Sequence, residues 1–185
     1  MRTAFAGANL DQGSNGTAAL PISPIDWING NAGSSKAHFI EGYSQAYRLD
    51  VTGLSGGLTY KVRLAYDIMQ GGKHAFDYLT HYSCLLPHNV SNIPFNHPAE
   101  TVDPLKGLST GVEFDAPSSL PIPAPSSTGS PVANQPTLSF NNTAVCEKKI
   151  TIYNGTINSI TYVSQGDLAT IGNSSPEIEI IFTFD

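Results

Sequence analysis

The segment between residues 74 and 81 holds the side chains best suited to chemistry. Its candidate ligand residues stand at positions i, i+3, i+4 and i+7, which share one face of a helix. They are His74, Asp77, Tyr78 and His81. Two neutral imidazoles and a carboxylate suit zinc or a neighbouring transition metal. His74, Asp77 and His81 are therefore candidate metal ligands, and a metal-dependent enzyme is one hypothesis.

The same segment has a second interpretation, in which no metal binds. If it is extended, His74 and Asp77 point to opposite faces and the ligand set dissolves. Asp77 would then cap a turn, with the histidines hydrogen-bonded or at the surface. The Gly71-Gly72 pair just before it would let the backbone turn sharply.

Aromatic residues offer a different kind of site. Trp27, the single tryptophan, could form a sugar-stacking platform with neighbouring tyrosines, because aromatic rings pack against the apolar faces of sugars. The candidate partners are Tyr43, Tyr47, Tyr78 and Tyr82. The alternative is that Trp27 belongs to the core. A carbohydrate-binding module is therefore the second hypothesis for function.

The charge balance excludes one class of partner and admits one ion. Nine Lys and Arg residues against fifteen Asp and Glu give a net charge of -6, with no basic stripe to neutralise the phosphates of nucleic acid. Acidic residues could supply oxygen ligands for calcium, although no Asp-x-Asp-x-Asp loop occurs. They are Asp67, Asp77, Glu100, Asp103 and Asp115. No cofactor is required, and calcium is the optional ion.

Catalytic motifs are weakly represented. The stretch Gly53 to Gly57 resembles a nucleophile loop only superficially and is better explained as a hairpin turn between two strands. The His-Glu-x-x-His motif of zinc peptidases does not occur. A protein without enzymatic activity is therefore the leading interpretation.

Alternation of apolar and polar residues predicts the strands. In residues 58–68 the apolar side chains share one parity and the charged ones the other, which predicts a strand with one buried face. The turn at Gly53 to Gly57 predicts a hairpin between this strand and an extended run at Tyr47 to Val51. The final run also alternates and predicts another inward face. Its apolar residues are Ile178, Ile180, Phe182 and Phe184.

One turn signal stands out. Asn154-Gly155 between extended runs favours a two-residue hairpin with Ile152 opposite Ile157. Beyond it the apolar parity slips, which predicts a bulge near Asn158-Ser159.

These patterns define the predicted organisation. Residues 1–24 read as an irregular arm, and residues 25–185 as one domain. Many short strands with almost no helix predict an all-β, antiparallel two-sheet β-sandwich, with the jelly-roll as its specific form and a barrel as the alternative. Ten of the thirteen prolines fall between Leu85 and Thr137, which predicts a long Pro-rich excursion.

Export is the predicted destination. Five Asn-x-Ser/Thr matches and a polar, weakly charged composition suit a secreted or cell-surface protein. No apolar run is long enough to insert in a membrane as a helix. In an exported chain the two cysteines, Cys84 and Cys146, most simply form one disulfide that closes the excursion. Two buried free thiols are the alternative.

Particular segments resemble a known group of proteins. They are Trp27 to Asn31, His38 to Gly42, Gly72 to Thr80, Pro123 to Pro131 and Ile150 to Gly166. Across residues 26–184 the chain resembles uncharacterised domains of exported bacterial surface or adhesin-like proteins. The resemblance carries no catalytic residues with it. We take a structural, adhesive or self-assembling surface module as the leading hypothesis. Because the N-terminal arm is unpatterned and the last strand is strongly apolar, we expect one of them to add to a neighbour's sheet edge.

Overall fold

The computed structural model of the protein describes residues 6–39, 42–84, 99–108, 113–126, 137–143, 147–169 and 172–185. Antiparallel strands dominate these residues and confirm the predicted all-β class. The elements are β1 (Gly7–Thr17), β2 (Leu20–Asn29), β3 (Tyr47–Thr52), β4 (Thr59–Ala65), β5 (Met69–Gln70), β6 (Lys73–His74), β7 (Ser118–Pro121), α1 (Thr137–Asn142), β8 (Lys149–Ile152), β9 (Gly155–Ser164) and β10 (Glu177–Phe184). Within the same residues, no helix has the length and apolar character needed to cross a membrane.

The chain divides into two compact units. The first comprises Met1–Leu54 and Tyr82–Glu113, and the second comprises Ser55–His81 and Phe114–Asp185. These boundaries cut across the domain predicted for residues 25–185, because the chain enters the second unit at Ser55 and returns to the first at Tyr82.

The first unit contains a three-stranded antiparallel sheet in the order β2-β1-β3. The prediction of an irregular arm over residues 1–24 is wrong, because β1 lies in the middle of this sheet and pairs on both sides. The small residues that suggested irregularity have a packing role. A Cβ atom on Gly13 would lie 2.6 Å from Ile25 Cδ1 and 3.3 Å from Ala46 O, so glycine lets both neighbours pack closely against β1. Pairing has overridden local propensity.

The predicted hairpin between β3 and β4 is also wrong. β3 pairs with β1, with Leu49 opposite Leu10, while β4 pairs with β10 in the second unit. The turn itself forms, since Gly53 and Gly57 both have positive φ angles, 76° and 73°. The two strands it connects nevertheless belong to different sheets.

The second unit is built around β10, the last strand, in a sheet ordered β4-β10-β9. The predicted parity of β4 and β10 is confirmed. Ile178, Ile180 and Phe182 are buried, and the charged residues of β4 are exposed. β7 and β8 form a separate pair whose apolar side chains pack against the same core, so the second unit has two sheet layers. This arrangement is sandwich-like, and the jelly-roll form stays a prediction.

The Asn154-Gly155 turn forms a corner between the two layers. Asn154 takes the left-handed conformation (φ 57°) that such a turn requires. The predicted hairpin with Ile152 opposite Ile157 is wrong, because β8 pairs with β7 and β9 pairs with β10. The predicted bulge is confirmed. Ser159 lies opposite Ile181 and Ile157 opposite Phe182, which leaves Asn158 as the extra residue.

Candidate functional site

The predicted helical ligand face in residues 74–81 does not form. Gly71 and Gly72, with φ angles of 58° and 77°, turn the chain between β5 and β6, and residues 75–81 continue without helix. Ala75 N donates to Ile68 O at 2.9 Å, so the backbone after the hairpin stays tied to the preceding chain. The Gly71-Gly72 pair therefore forms a tight hairpin turn, and positive φ angles are typical of such turns.

This geometry separates the candidate metal ligands. His74 and Asp77 are exposed, and His81 is half-buried. Among the described residues, no group of three His, Cys, Asp or Glu side chains lies close enough to hold a metal ion. The helical face on which the metal hypothesis depended is thus missing.

The acids proposed for calcium do not all belong to one unit. Glu100 and Asp103 belong to the first unit, whereas Asp67, Asp77 and Asp115 belong to the second. Asp67 Oδ1 accepts a hydrogen bond from Ser175 Oγ at 2.5 Å, and Asp103 Oδ1 accepts one from Leu105 N at 3.0 Å. Both carboxylates are therefore engaged in hydrogen bonds within their own units.

Tyr78 contacts the short helix of the second unit. Its hydroxyl lies 2.6 Å from Thr143 Oγ1, and its ring meets Phe140 edge to face at 5.5 Å between centroids. Phe140 is buried. Tyr78 thus fixes α1 to the irregular segment that follows β6.

His81 lies beside the start of β8. Its backbone N donates to Glu147 O at 3.0 Å. Burial, together with the nearby positive charge of Lys149, lowers the pKa of His81, and the carboxylate of Glu147 opposes this shift. Lys149 Nζ lies 2.7 Å from Glu147 Oε2. The lowered pKa keeps the His81 imidazole mostly neutral beside this ion pair. We interpret His81 as a structural residue at the start of β8.

Trp27 lies on β2 in the first unit, partly buried. Its indole Nε1 donates to Asp103 O at 2.8 Å, and the guanidinium carbon of Arg48 lies 4.8 Å from the ring centroid. The indole donor and one ring face are therefore engaged within the unit. Neither the indole donor nor this ring face is then available to a sugar, which weakens the predicted platform.

Arg48 on β3 is the centre of a polar cluster that sequence reasoning missed. Its Nη2 lies 2.7 Å from Asp11 Oδ2, and both side chains are largely buried, with 13% and 7% exposed. Its Nη1 donates to Pro104 O at 3.1 Å and to Lys106 O at 2.8 Å. The only available signal was two opposite charges within strands of alternating polarity, and nothing in the sequence places Asp11 opposite Arg48.

The contacts of Arg48 and Trp27 hold residues 99–108 against the sheet, and we call this segment the strap. Ile25 N donates to Thr101 O at 3.0 Å, from the outer edge of β2. Lys106 Nζ reaches Pro24 O and Asp26 Oδ1, each at 2.6 Å. β2 also carries Pro21 and Pro24, which cannot donate to a further strand. The β2 edge of the sheet is therefore closed.

A second polar pair lies beneath the strap. Asn15 Nδ2 donates to Glu100 Oε1 at 2.5 Å, and the two residues are 1% and 2% exposed. His38 N donates to Asn15 Oδ1 at 2.9 Å. Burial raises the pKa of Glu100 to about 7, although the hydrogen bond from Asn15 opposes this shift. Asn15 is one of the five Asn-x-Ser/Thr matches, and its burial prevents glycosylation of the folded chain.

The opposite edge of the same sheet, which we call the β3 edge, differs from the closed edge. Gly13 N donates to Ala46 O at 2.8 Å, so alternate residues from Ala46 onward, Arg48 and Asp50 included, direct their backbone groups towards β1. The backbone groups of Leu49 and Val51 consequently point outward. No further strand pairs with β3 in the described part of the chain.

Apolar side chains line the face of the sheet beside the β3 edge. Tyr47, Leu49 and Val51 share this face with Leu10 and Ala8 of β1, which lie opposite Leu49 and Val51. Leu10 is 49% exposed and Tyr47 is 39% exposed. The outward-pointing backbone groups of Leu49 and Val51 thus lie next to an apolar surface of the same sheet.

Cys84 is buried. Cys146 lies outside the described residues, so the Cys84 to Cys146 disulfide stays a prediction.

No protein-family model, curated protein or solved structure matches this chain. The resemblance to exported surface domains therefore also stays a prediction.

Proposed function

We propose that the chain is a non-enzymatic structural module of the cell exterior that associates with other β-rich surfaces through a sheet edge. The observation that carries this proposal is the asymmetry of the sheet in the first unit. One edge is closed by prolines and by the strap, while on the β3 side no further strand pairs within the described residues, and Leu10 beside this edge is exposed. An edge of this kind is a template for strand addition.

The route of strand addition differs from the one that the sequence predicted. Neither the N-terminal segment nor the last strand is available as a donor, because β1 and β10 each lie between two partners. Adding either strand to a neighbour would first break an existing ladder. Adding a strand beside β3 would break no ladder formed by the described residues.

The polar clusters of the first unit favour a structural role over catalysis. Arg48, Asp11 and Trp27 direct their polar atoms to each other or to backbone carbonyls of the strap. Such contacts fix a loop in one position. They also keep the β2 edge closed, which leaves one edge for association.

Secretion is the proposed destination, supported by the polar, weakly charged composition and by exposed Asn-x-Ser/Thr matches such as Asn141 and Asn173. Protease treatment of intact source cells tests this part, since a surface protein is cleaved while a cytosolic marker survives. Protection of the chain until the cells are lysed would refute it.

Size-exclusion chromatography with light scattering, across a hundredfold range of protein concentration, tests the association. We expect the weight-average mass to rise with concentration, and electron microscopy then shows whether the larger species are dimers, rings or filaments. A monomer at every concentration, together with no binding to cell surfaces, would refute the proposed function.

A glycan-binding module is a second proposal with a narrower basis, the partial exposure of Trp27. A glycan array comparing the parent chain with Trp27→Ala tests it. An unchanged profile would remove Trp27 from consideration.

A further inference from the structure

We infer that the outer side of β4, which we call the β4 edge, binds an extended segment of a partner protein in which acidic residues alternate with apolar ones. The proposed function rests on the sheet of the first unit, so this inference concerns a different sheet and can hold or fail by itself. Among the described residues β4 pairs only with β10, at one side of the sheet β4-β10-β9. Its other side is the β4 edge.

The backbone hydrogen bonds show which groups point to the β4 edge. Phe184 N donates to Leu58 O at 3.0 Å, and Tyr66 N donates to Pro176 O at 3.2 Å. In an antiparallel ladder these two bonds direct the even-numbered residues of β4 towards β10 and the odd-numbered ones outward. The outward residues are Thr59, Lys61, Arg63 and Ala65, all exposed. Their outward N–H and C=O groups have no hydrogen-bond partner among the residues that the structure describes.

The side chains give the β4 edge one charged face and one apolar face. Lys61 and Arg63 share the charged face and are 53% and 51% exposed. Both contact Glu179 of β10, at 3.1 Å and 2.9 Å, and both keep further N–H donors that these contacts do not use. Tyr60 and Val62 lie on the other face, opposite the buried residues of β10. An incoming strand therefore meets cations on one face and apolar side chains on the other.

β10 shows what kind of strand β4 accepts. Its glutamates alternate with isoleucines, so that Glu179 lies opposite Arg63 and Ile180 opposite Val62. A partner segment with the same alternation, antiparallel to β4, would place one acid opposite Arg63 and the next opposite Lys61. Opposite charges directly across a ladder stabilise the pairing. The β4 edge is therefore suited to a second strand of the β10 type.

A second copy of this chain fits the β4 edge poorly. Hydrogen bonding across two β4 strands pairs odd-numbered residues with odd-numbered ones, so each central register sets Lys61 or Arg63 opposite a cation of the other copy. Like charges directly across a ladder are unfavourable, and lysine on an edge strand is a common protection against self-pairing. The β10 strand of a second copy is already held between β4 and β9. The occupant is therefore a segment of another protein.

A synthetic peptide with the sequence of residues 176–184, labelled with a fluorophore, is the probe. Placed antiparallel with Glu177 opposite Arg63, it sets Glu179 opposite Lys61 and Ile178 opposite Val62. We expect saturable binding to the full chain by fluorescence anisotropy. A peptide carrying Glu177→Lys and Glu179→Lys should not bind. Equal binding of the two peptides, or no binding of the first, would overturn the inference.

A charge substitution in the chain tests the contribution of Lys61. We expect Lys61→Gln to raise the dissociation constant of the peptide about fivefold. Lys73→Gln is the matched control, because Lys73 is also an exposed lysine on a strand of the second unit, β6. It should leave the dissociation constant unchanged. Equal effects of the two substitutions would mean attraction by net charge alone and would overturn the assignment to β4.

A backbone substitution tests which side of β4 is used. Thr59→Pro removes an outward N–H but no bond to β10, and proline is tolerated at the first residue of an edge strand. We expect it to weaken binding about fivefold, whereas Thr59→Ala, which keeps the N–H, should bind like the parent. Circular dichroism verifies that both variants fold.

Two results of the same measurements would contradict the proposed occupant. A peptide that replaced β10 would pair with the inward side of β4, and its binding would be unaffected by Thr59→Pro. A parent chain that dimerises, and that Thr59→Pro makes monomeric, would assign the β4 edge to a second copy. Either result would overturn the inference.

Discussion

Asn15 and Glu100, separated by 85 residues in the sequence, share a 2.5 Å hydrogen bond in the interior of the first unit. The contact ties the middle of β1 to the start of the strap. Both side chains are almost fully buried, and burial raises the pKa of the Glu100 carboxyl group to about 7. The protonation of Glu100 therefore makes the attachment of the strap dependent on pH.

The pH dependence of stability follows from the Glu100 pKa, which rises from 4.5 in the unfolded chain to about 7 when folded. Between these values the unfolded state loses its proton first, so stability falls as pH rises from about 4.5 to 7 and is flat beyond. We expect Glu100→Gln to remove this loss and to stabilise the protein at pH 8 by about 1–3 kcal/mol relative to the parent. Urea unfolding at pH 4.5 and pH 8 measures both. An equal effect of the substitution at both pH values would contradict the assignment.

Arg48→Ala should be strongly destabilising, because it leaves the Asp11 carboxylate buried without its cation. We expect a loss of about 3–5 kcal/mol in the free energy of unfolding. Arg63→Ala is the matched control. Arg63 also contacts a glutamate, Glu179, at 2.9 Å, but it does so at an exposed surface and should cost much less. Similar losses for both variants would show that the buried pair has no special role.

Trp27→Phe keeps an aromatic ring under Arg48 but removes the indole donor to Asp103 O. We expect a loss of about 1 kcal/mol and a local opening of the strap. Hydrogen exchange should speed up at Leu105 and Lys106, whose amide groups bond within the strap. Exchange in the second unit serves as the internal control and should not change. Uniform acceleration across the whole chain would mean global destabilisation instead.

Gly155 and Asn154 differ in their tolerance to substitution. A Cβ atom on Gly155 would lie 2.7 Å from Thr183 O on β10, so we expect Gly155→Ala to destabilise by about 1–3 kcal/mol. Asn154→Gly suits the left-handed φ but loses the bond from Asp115 N, and these effects nearly cancel. Thermal unfolding of the two variants distinguishes them. A larger fall in Tm for Asn154→Gly would contradict the geometry of the corner.

Much of the fold was predictable from local pattern. The alternation in β4 and β10 identified their buried faces, and the parity slip in β9 located the bulge at Asn158. These predictions succeeded because the buried face of a strand is set by the polarity of residues spaced two apart in the sequence. The turns at Gly53 to Gly57 and at Asn154-Gly155 were also recognisable, since their φ angles demand glycine or asparagine.

Strand partners were not predictable in this way. β3 leads into β4 through a tight turn and β8 into β9 through an Asn-Gly corner, yet neither neighbour in sequence is a partner in the sheet. A turn sets the direction of the chain, and the choice of partner depends on which pairing buries the most apolar surface. That sum involves residues from distant parts of the chain, such as Leu120 and Ile178.

The candidate sites show the same division. Sequence spacing pointed to His74, Asp77, Tyr78 and His81, but residues 75–81 form no helix, so these side chains do not share a helical face. The polar pairs that do form, Asp11 with Arg48 and Asn15 with Glu100, join residues that no local pattern connects. By itself the sequence determined the class of structure, the buried faces and the turns, because these follow from neighbouring residues. Only the tertiary structure decided the strand order and the buried ion pair, because each requires long-range contacts.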